Sequence, residues 1–245
     1  MRILAFNVQP YEEKAFVKWA KDNDIEVVLD KDLITPETIE RAKGFDGVTT
    51  QQVIPVKDEA VFDKLKEFGI KQIASRTAGV DMFGLDMARE REIAITNVPR
   101  YSPNAIAELS LTLAMSLLRH VSHTVNKTSK YDFRVDGTMF SKEIRNCKVG
   151  IIGTGKIGLT EAMLFKGLGA EVLGYDVFQS DAAKEVVKFV DMDELLAESD
   201  IVSLHVPYFP GKNDKMVNAE FISKMKDGAI LINTARGELQ DNAAI

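Results

Sequence analysis

The sequence predicts an α/β protein made of two open parallel sheets, and three observations carry that prediction. Short apolar runs alternate with segments whose apolar residues recur at helical spacing, a pattern typical of strands connected by helices. The alternation breaks near Tyr101 and resumes at Lys148, so we expect two domains, residues 1–101 and 102–245. A chain of 245 residues that is 45% hydrophobic and 28% charged has the size and composition of two globular domains.

The first half alternates five strands with helices. We predict strands at 2–8, 26–29, 47–50, 70–76 and 93–97. Helices are predicted at 12–22 and 59–68, and a further helix start at Thr35 and Pro36. Strands joined in this way pair in parallel and are covered on both faces.

The second half opens with a long apolar helix, 104–119, which follows Pro103. Because its apolar residues lie on nearly every face, we expect it to be buried between two bodies. The polar stretch 127–143 is predicted as a loop. Beyond it we predict strands at 148–152, 171–175, 201–206 and 229–234, helices at 157–168, 192–198 and 219–225, and a first helical turn at 241–245.

Composition and charge exclude several classes of function. The net charge of −6 argues against a nucleic-acid surface, and no apolar run approaches the roughly 18–20 residues of a membrane span. The first residues lack a secretory signal, and a single cysteine, Cys147, allows no internal disulfide. We therefore expect a cytoplasmic protein. The three histidines are not spaced as a zinc site, so no metal is predicted.

The segment VGIIGTGKIG, 149–158, is the most informative motif. It follows a predicted strand and opens a predicted helix, as a dinucleotide-binding turn does. Gly153 allows a tight turn, Gly155 lets a pyrophosphate approach the backbone, and Gly158 lets the helix lie close to the strand. The helix N-terminus offers amide donors to the phosphates. The alternative interpretation is a turn without a ligand.

Asp176 lies 18 positions past Gly158, at the end of the next strand. A carboxylate there can accept hydrogen bonds from the adenosine ribose and repels a 2′-phosphate, which favours NAD over NADP. The alternative is an aspartate that caps a helix.

Two further segments follow strands, where open parallel sheets bind their ligands. His205, Val206 and Pro207 close one strand, and Thr234, Ala235 and Arg236 close the next. The Arg236 guanidinium suits bidentate contact with a carboxylate, although a solvated arginine is the alternative. We expect His205 to be a satisfied core residue or a residue at the domain seam.

In the first half, Gly79 follows a strand and can expose backbone amides to an anion, although an ordinary turn would look the same. Tyr101 lies at the predicted domain boundary. An aromatic residue there either packs at the boundary or faces a substrate.

Six motifs in fixed order carry a resemblance to a known family. They are TAGVD (77–81), NVPRYSPNAIAEL (97–109), GTGKIG (153–158), GYD (174–176), LHVP (204–207) and INTARGEL (232–239). Together they resemble the D-isomer-specific 2-hydroxyacid dehydrogenases over the whole chain. The resemblance implies a flavodoxin-like substrate domain followed by a Rossmann dinucleotide-binding domain, and an oxidoreductase that reduces a 2-oxo acid such as pyruvate to the D-2-hydroxy acid with NADH.

The resemblance also assigns roles to residues. It implies that NADH lies in a cleft between the domains, that Arg236 binds the substrate carboxylate and polarises the carbonyl, and that Ala78, Gly79 and Tyr101 contact substrate. It further implies a homodimer. The expected cofactor contacts are Gly153, Gly155, Lys156, Ile157, Gly158, Asp176, Val206, Pro207, Asn213, Thr234 and Ala235.

The chain departs from the family pattern in two places. The family's catalytic histidine and its glutamate partner belong to segments beyond the arginine-bearing strand, and neither is found before Ile245. We therefore expect a C-terminally truncated member with an incomplete Rossmann domain, which binds NAD poorly and turns over slowly or not at all. A non-catalytic NAD(H) sensor that recruits a protein is the alternative. Glu92 stands where the pattern has glycine.

Overall fold

The computed structural model describes all 245 residues and divides them into two compact units, Met1–Tyr101 and Ser102–Ile245. Each unit contains one five-stranded sheet in which every strand pair is parallel. No helix combines the length and the apolar character that a membrane crossing requires.

The sheet of the first unit has the order β2-β1-β3-β4-β5. Its strands are β1 (Arg2–Phe6), β2 (Glu26–Leu29), β3 (Gly47–Thr50), β4 (Gln72–Ser75) and β5 (Ala94–Thr96). Its helices are α1 (Glu13–Asp22), α2 (Glu59–Glu67) and α3 (Leu85–Glu90), with a 3-10 turn at Thr38–Ala42.

The core of the first unit lies between the sheet and its helices. Phe6, Phe62 and Ile73 are fully buried in one apolar cluster. The chain starts α2 with a capped turn, because the Asp58 side chain accepts a hydrogen bond from the Ala60 amide. The loops at the carboxyl ends of the strands are therefore anchored to a well-packed core.

The sheet of the second unit has the order β10-β9-β6-β7-β8. Its strands are β6 (Lys148–Ile152), β7 (Glu171–Tyr175), β8 (Lys188–Phe189), β9 (Ile201–Leu204) and β10 (Ile230–Asn233). Its helices are α4 (Pro103–Leu118), α5 (Val121–Thr128), α6 (Lys156–Gly167), α7 (Asp181–Lys184), α8 (Met192–Glu198) and α9 (Ala219–Ser223). The strand order reverses between β6 and β9, which is where doubly wound Rossmann-type sheets open a crevice for a ligand.

Helix α4 corrects the expectation of a helix buried on every face. Ala107, Ser110 and Ala114 are buried, and α4 packs on α6 and β10. The leucines at 109, 113 and 117, spaced by four residues, are 49%, 41% and 53% exposed. The helix is therefore buried along one face, and a second apolar face remains uncovered.

Three further expectations were wrong in detail. Part of the predicted loop and the segment before it form α5, whose polar composition hid its helical spacing of Val121 and Val125. Residues 241–245 form a turn rather than a helical turn, and the helix expected at Pro36 is a 3-10 turn that begins at Thr38. Helices α3 and α7 and the two-residue strand β8 are too short for a periodic signal.

Candidate functional site

The carboxyl ends of four parallel strands bring most of the predicted site residues to one edge of the second sheet. β6, β7, β9 and β10 end at Ile152, Tyr175, Leu204 and Asn233. The residues that follow them at this edge are the glycine turn 153–158, Asp176, the segment 205–213 and the segment 234–236. Sequence alone predicted this grouping, because carboxyl ends of parallel strands share an edge.

The glycine turn is packed tightly at two of its three glycines. Gly153 has a φ of 93°, and a Cβ placed on it would lie 2.7 Å from the backbone of His205. A Cβ on Gly158 would lie 1.9 Å from the Gly153 carbonyl oxygen. A Cβ on Gly155, in contrast, would meet nothing within 4 Å. The turn therefore needs glycine at 153 and 158 for its own packing, and it leaves open space beside Gly155.

The N-terminus of α6 presents open hydrogen-bond donors at that space. Gly155 is the N-cap and has no side chain that could satisfy the first amides. None of the hydrogen bonds within the chain uses the N–H of Gly155, Lys156 or Ile157. Such amides and the positive end of the helix dipole suit a phosphate, so these residues fit a dinucleotide pyrophosphate.

Asp176 is held against the glycine turn by hydrogen bonds. Its Oδ2 accepts from the Thr154 amide at 2.6 Å and from the Thr154 hydroxyl at 3.2 Å, and its Oδ1 accepts from the Phe178 amide at 3.0 Å. A carboxylate has about four acceptor positions, so roughly one remains for a ribose hydroxyl. The longer Thr154 hydroxyl bond is the one that can yield a second position.

A buried pair of polar side chains next to this edge was not predicted from sequence. His205 Nε2 hydrogen-bonds to the Glu161 Oε2 atom, and the two side chains are only 2% and 0% exposed. The Ser203 hydroxyl lies 3.1 Å from the same ring nitrogen, while Glu161 Oε1 has no partner. This environment is that of a satisfied core histidine. The sequence did contain a sign of this pair. Glu161 lies on the same predicted helix face as the apolar residues Ala162 and Phe165, where a buried glutamate needs a polar partner.

The loop after β9 is fastened by its own side chains. Asn213 accepts a hydrogen bond from the Phe209 amide at 2.7 Å and donates to the Pro207 carbonyl at 2.8 Å. Tyr208 donates to Asp214, which raises the pKa of Tyr208 to about 12. The Asn213 side chain therefore stabilises the loop that contains Val206 and Pro207. Its contact with a cofactor stays a prediction.

At the end of β10, side chains fix the backbone around the predicted arginine. Thr234 Oγ1 lies 2.7 Å from Ser110 Oγ of α4, and the Ala235 amide donates to Asn233 Oδ1 at 3.0 Å. The half-buried Arg236 donates from Nη1 to the Ala235 carbonyl at 2.8 Å, and its own carbonyl accepts from Asn233 at 2.8 Å. The roles of Thr234, Ala235 and Arg236 toward ligands stay predictions.

The first unit has its own candidate loop at the carboxyl end of β4. The carbonyls of 77–79 all accept hydrogen bonds, whereas none of the hydrogen bonds within the chain uses the N–H of Ala78 or Gly79. Two consecutive open amides can bind an anion such as a carboxylate. Tyr101, predicted to contact substrate, has a highly exposed side chain in this structure.

The structure contains no group of three or more His, Cys, Asp or Glu side chains arranged to hold a metal ion.

Residues 111–245 match the sequence model of the family described as "D-isomer specific 2-hydroxyacid dehydrogenase, NAD binding domain". That match covers the glycine turn, Asp176 and Arg236.

Curated proteins with similar sequences are dehydrogenases of 2-hydroxy acids. A D-lactate dehydrogenase of Streptococcus pyogenes serotype M1 is 44% identical over 245 residues, which cover 98% of this chain and 74% of the relative. A D-2-hydroxyacid dehydrogenase (NAD(+)) of Clostridioides difficile is 42% identical over 98% of this chain and 72% of its own length.

Solved structures give the same result. The crystal structure of TP0037 from Treponema pallidum, a D-lactate dehydrogenase, has a TM-score of 0.86 and 41% identity, and the match covers all of this chain and 73% of that one. The NAD complexed form of a D-isomer specific 2-hydroxyacid dehydrogenase from Lactobacillus delbrueckii ssp. bulgaricus has a TM-score of 0.82 and 38% identity, covering 100% and 74%. The chain thus spans about three quarters of the length of these relatives.

Proposed function

Because this chain belongs to the D-isomer-specific 2-hydroxyacid dehydrogenase family and is by that membership an NAD-dependent dehydrogenase, we propose that its reaction is the reduction of pyruvate to D-lactate. The observation that carries the proposal is the glycine turn, where Gly158 packs on the Gly153 carbonyl and the amides of 155–157 stay open beside it. Relatives named as D-lactate dehydrogenases support the choice of pyruvate.

The dinucleotide, when bound, supplies the hydride, and the residues of the second unit hold and orient it. The amides of Gly155, Lys156 and Ile157 donate to the pyrophosphate, and Asp176 accepts from the adenosine ribose. Gly153 and Gly158 keep the helix close enough for those amides to reach. Further cofactor contacts are assigned to Val206, Pro207, Asn213, Thr234 and Ala235.

The substrate is recognised by its carboxylate. Arg236 pairs with that group through its planar guanidinium and polarises the neighbouring carbonyl, which makes the carbonyl carbon a better hydride acceptor. Ala78 and Gly79 donate backbone N–H groups to the carboxylate, and Tyr101 contacts the substrate.

None of the three histidines is placed as the acid that protonates the forming alkoxide. His205 is committed to Glu161, and His123 interacts with Asp136 and Thr138. His120 sits at the junction of α4 and α5 with a φ of 51°. We therefore expect that none of these three histidines supplies the proton of this reaction, a step in which general-acid catalysis contributes about 10²–10⁴ in rate.

Two measurements on the purified chain test the proposal. NADH fluorescence titration is expected to give saturable binding with a preference for NADH over NADPH. Steady-state reduction of pyruvate, with analysis of the lactate enantiomer, is expected to give D-lactate. Absence of NADH binding, or formation of the L-enantiomer, would contradict the assignment.

We also propose a homodimer, formed through the second unit. The uncovered α4 leucines at 109, 113 and 117 adjoin exposed valines 121 and 125 of α5 along the same stretch of chain. Further exposed apolar side chains follow at Tyr131, Phe133, Val135 and Phe140. A stretch of chain this rich in exposed apolar side chains is typical of a protein interface.

Light scattering of the eluting protein tests this homodimer. The parent is expected to elute with the mass of two chains, and Leu113→Glu is expected to shift it toward one. Leu85→Glu replaces a leucine of similar exposure in the first unit, 43% against 41%, and serves as the control. A parent of single-chain mass, or equal effects of both substitutions, would contradict the proposal.

The comparisons do not favour the alternative of a non-catalytic NAD(H) sensor, because the similar proteins are named as dehydrogenases. A cytoplasmic location remains part of the proposal. It is supported by the cysteine content, because the single cysteine, Cys147, is free and can form no internal disulfide.

A further inference from the structure

We propose that Asn97 and Thr77 are positioning residues for the substrate carboxylate, because they lock the two peptide groups on either side of Gly79. This inference rests on the proposed function of the Ala78 and Gly79 amides. It adds two side chains that do not touch substrate: Asn97 sets the direction of the Gly79 N–H, and Thr77 restrains Gly79 from the other side of its Cα.

Three consecutive carbonyls of the loop are fastened inside the first unit. The Thr77 carbonyl accepts from the Val98 amide at 2.9 Å. The Ala78 carbonyl accepts from Asn97 Nδ2 at 2.6 Å, and the Gly79 carbonyl accepts from the Thr77 hydroxyl at 2.7 Å.

Fastening a carbonyl also fixes the amide that follows it. The C=O of one residue and the N–H of the next share a rigid plane and point in opposite directions. The bond from Val98 therefore sets the direction of the Ala78 N–H, and the bond from Asn97 sets that of the Gly79 N–H. Both N–H groups therefore point away from the groups that hold the carbonyls, and neither N–H has an acceptor within the chain.

Gly79 needs this support more than another residue would. Glycine has no Cβ and can rotate freely about both of its backbone bonds, so an unsupported amide would sample many directions. Here the peptide before its Cα is held by Asn97 and the peptide after it by Thr77. Holding the donors in advance spares the substrate the cost of ordering them.

The threonine hydroxyl is itself held in one orientation. It has a single hydrogen, and the Gly79 carbonyl takes it. The Ser75 hydroxyl, 2.6 Å away, must then donate to Thr77 Oγ1. Ser75 is buried at the end of β4. Two consecutive hydrogen bonds, from Ser75 to Thr77 and from Thr77 to the Gly79 carbonyl, therefore connect the sheet to the loop.

Asn97→Ala and Thr77→Val test the inference, because each removes one fastening hydrogen bond while the exposed or half-buried site tolerates the change. The measurements are the Kd of oxamate in the NADH-saturated protein, the KM of pyruvate, the Kd of NADH and the melting temperature. Asn97→Ala is expected to weaken oxamate binding and raise the KM of pyruvate about tenfold, the loss expected from one misdirected hydrogen bond to a charged group, and Thr77→Val is expected to do so by a smaller factor. NADH affinity is expected to stay at the parent value, and the melting temperature is expected to fall by no more than about 4 °C, the loss of roughly one hydrogen bond.

Two controls separate positioning from general structure. Thr77→Ser keeps the hydroxyl and is expected to restore oxamate binding. Thr96→Val alters the residue next to Asn97. The Thr96 hydroxyl accepts a hydrogen bond from Gln72 and does not contact the loop, so this substitution is expected to leave oxamate binding unchanged.

Unchanged oxamate affinity in both Asn97→Ala and Thr77→Val, in a parent that binds NADH and oxamate, would overturn this inference alone. A loss of NADH affinity together with oxamate affinity would overturn it as well, by showing a general structural role. A parent that binds neither NADH nor oxamate would overturn the proposed function itself.

Discussion

The glycines at 153 and 158 are so close that a Cβ on Gly158 would lie 1.9 Å from the Gly153 carbonyl oxygen. That distance is far inside any van der Waals contact, and the atom approached is backbone that cannot rotate away. The start of α6 and the end of β6 are thus held together at the point where a pyrophosphate is proposed to bind. Substitution at either glycine has to move the helix, the strand end or both.

Gly158→Ala is therefore expected to abolish measurable NADH binding and to lower the free energy of unfolding by about 3 kcal/mol, the upper range for overpacking. Gly167→Ala is the matched control, since it lies on the same helix and its Cβ would meet nothing within 4 Å. We expect that control to stabilise the protein by roughly 0.5–1 kcal/mol, because alanine is the better helix former. Chemical denaturation and NADH titration check both variants. Normal NADH affinity in Gly158→Ala would contradict the packing argument.

The Glu161 and His205 pair predicts a different loss. Glu161→Ala leaves the buried His205 ring without its carboxylate partner, so the free energy of unfolding is expected to fall by about 1–3 kcal/mol. Glu161→Gln keeps an oxygen that can accept from Nε2 and is expected to lose less. Glu194→Ala removes an exposed partner of Lys188 and is expected to cost under about 1 kcal/mol. Equal losses in Glu161→Ala and Glu194→Ala would count against a structural role for the buried pair.

Glu92 predicts a substitution that stabilises. It has a φ of 59°, a left-handed conformation that costs an L-residue about 1 kcal/mol relative to glycine. Glu92→Gly is therefore expected to raise the free energy of unfolding by about that amount. Glu90→Gly, inside α3 two residues earlier, is expected to lower it, because glycine is a poor helix former. A decrease in stability for Glu92→Gly would show that the strain is absent.

Sequence periodicity located the long strands well. A parallel strand covered on both faces is a short, continuous run of apolar residues, and the neighbouring helices and loops contain no such run. The run at 148–152 and the run at 171–175 correspond to β6 and β7 without a shift. The same reasoning misjudged α4, since a count of apolar residues cannot distinguish a helix buried all round from one with an uncovered leucine face. What covers a face depends on tertiary packing.

Site residues followed the same division. Gly153, Gly158 and Asp176 could be placed because their spacing reflects one local strand, turn and helix. The partner of His205 could not, since Glu161 is 44 positions away and meets it only after α6 has packed on the sheet. The fastening of Ala78 by Asn97 likewise requires β4 and β5 to be neighbours, which no local pattern reveals.

Asp176 predicts cofactor preference. Asp176→Ala removes the carboxylate proposed to accept from the ribose and to repel a 2′-phosphate, so NADH affinity is expected to fall about tenfold or more. NADPH affinity is expected to fall less or to rise, and the ratio of the two Kd values is the decisive readout. Asp181→Ala, a nearby and almost fully exposed aspartate, is the control. An unchanged ratio in Asp176→Ala would remove Asp176 from the cofactor site.

Asp200 predicts how stability depends on pH. Burial works to raise the pKa of its carboxyl, but hydrogen bonds from Lys142 at 2.8 Å, Lys226 at 2.6 Å and the Lys148 amide at 2.8 Å outweigh it, and the net pKa is lowered. The unfolded pKa is near 3.9, so the unfolded chain binds this proton first as the pH falls. The contribution of Asp200 is thus fully present above about pH 5 and is lost as the pH drops through the folded pKa.

Asp200→Asn is accordingly expected to be less stable than the parent at pH 7, by roughly 1–2 kcal/mol, and to approach the parent's stability below about pH 3. Melting temperatures between pH 3 and 7 check this, with the exposed Asp193→Asn as the control that should follow the parent throughout. Because Asp200 joins the start of β6 to Lys226 just before β10, the loss should also appear as faster hydrogen exchange in those strands. A constant difference between Asp200→Asn and the parent across that range would show that the lowered pKa does not contribute to the acid sensitivity of the fold.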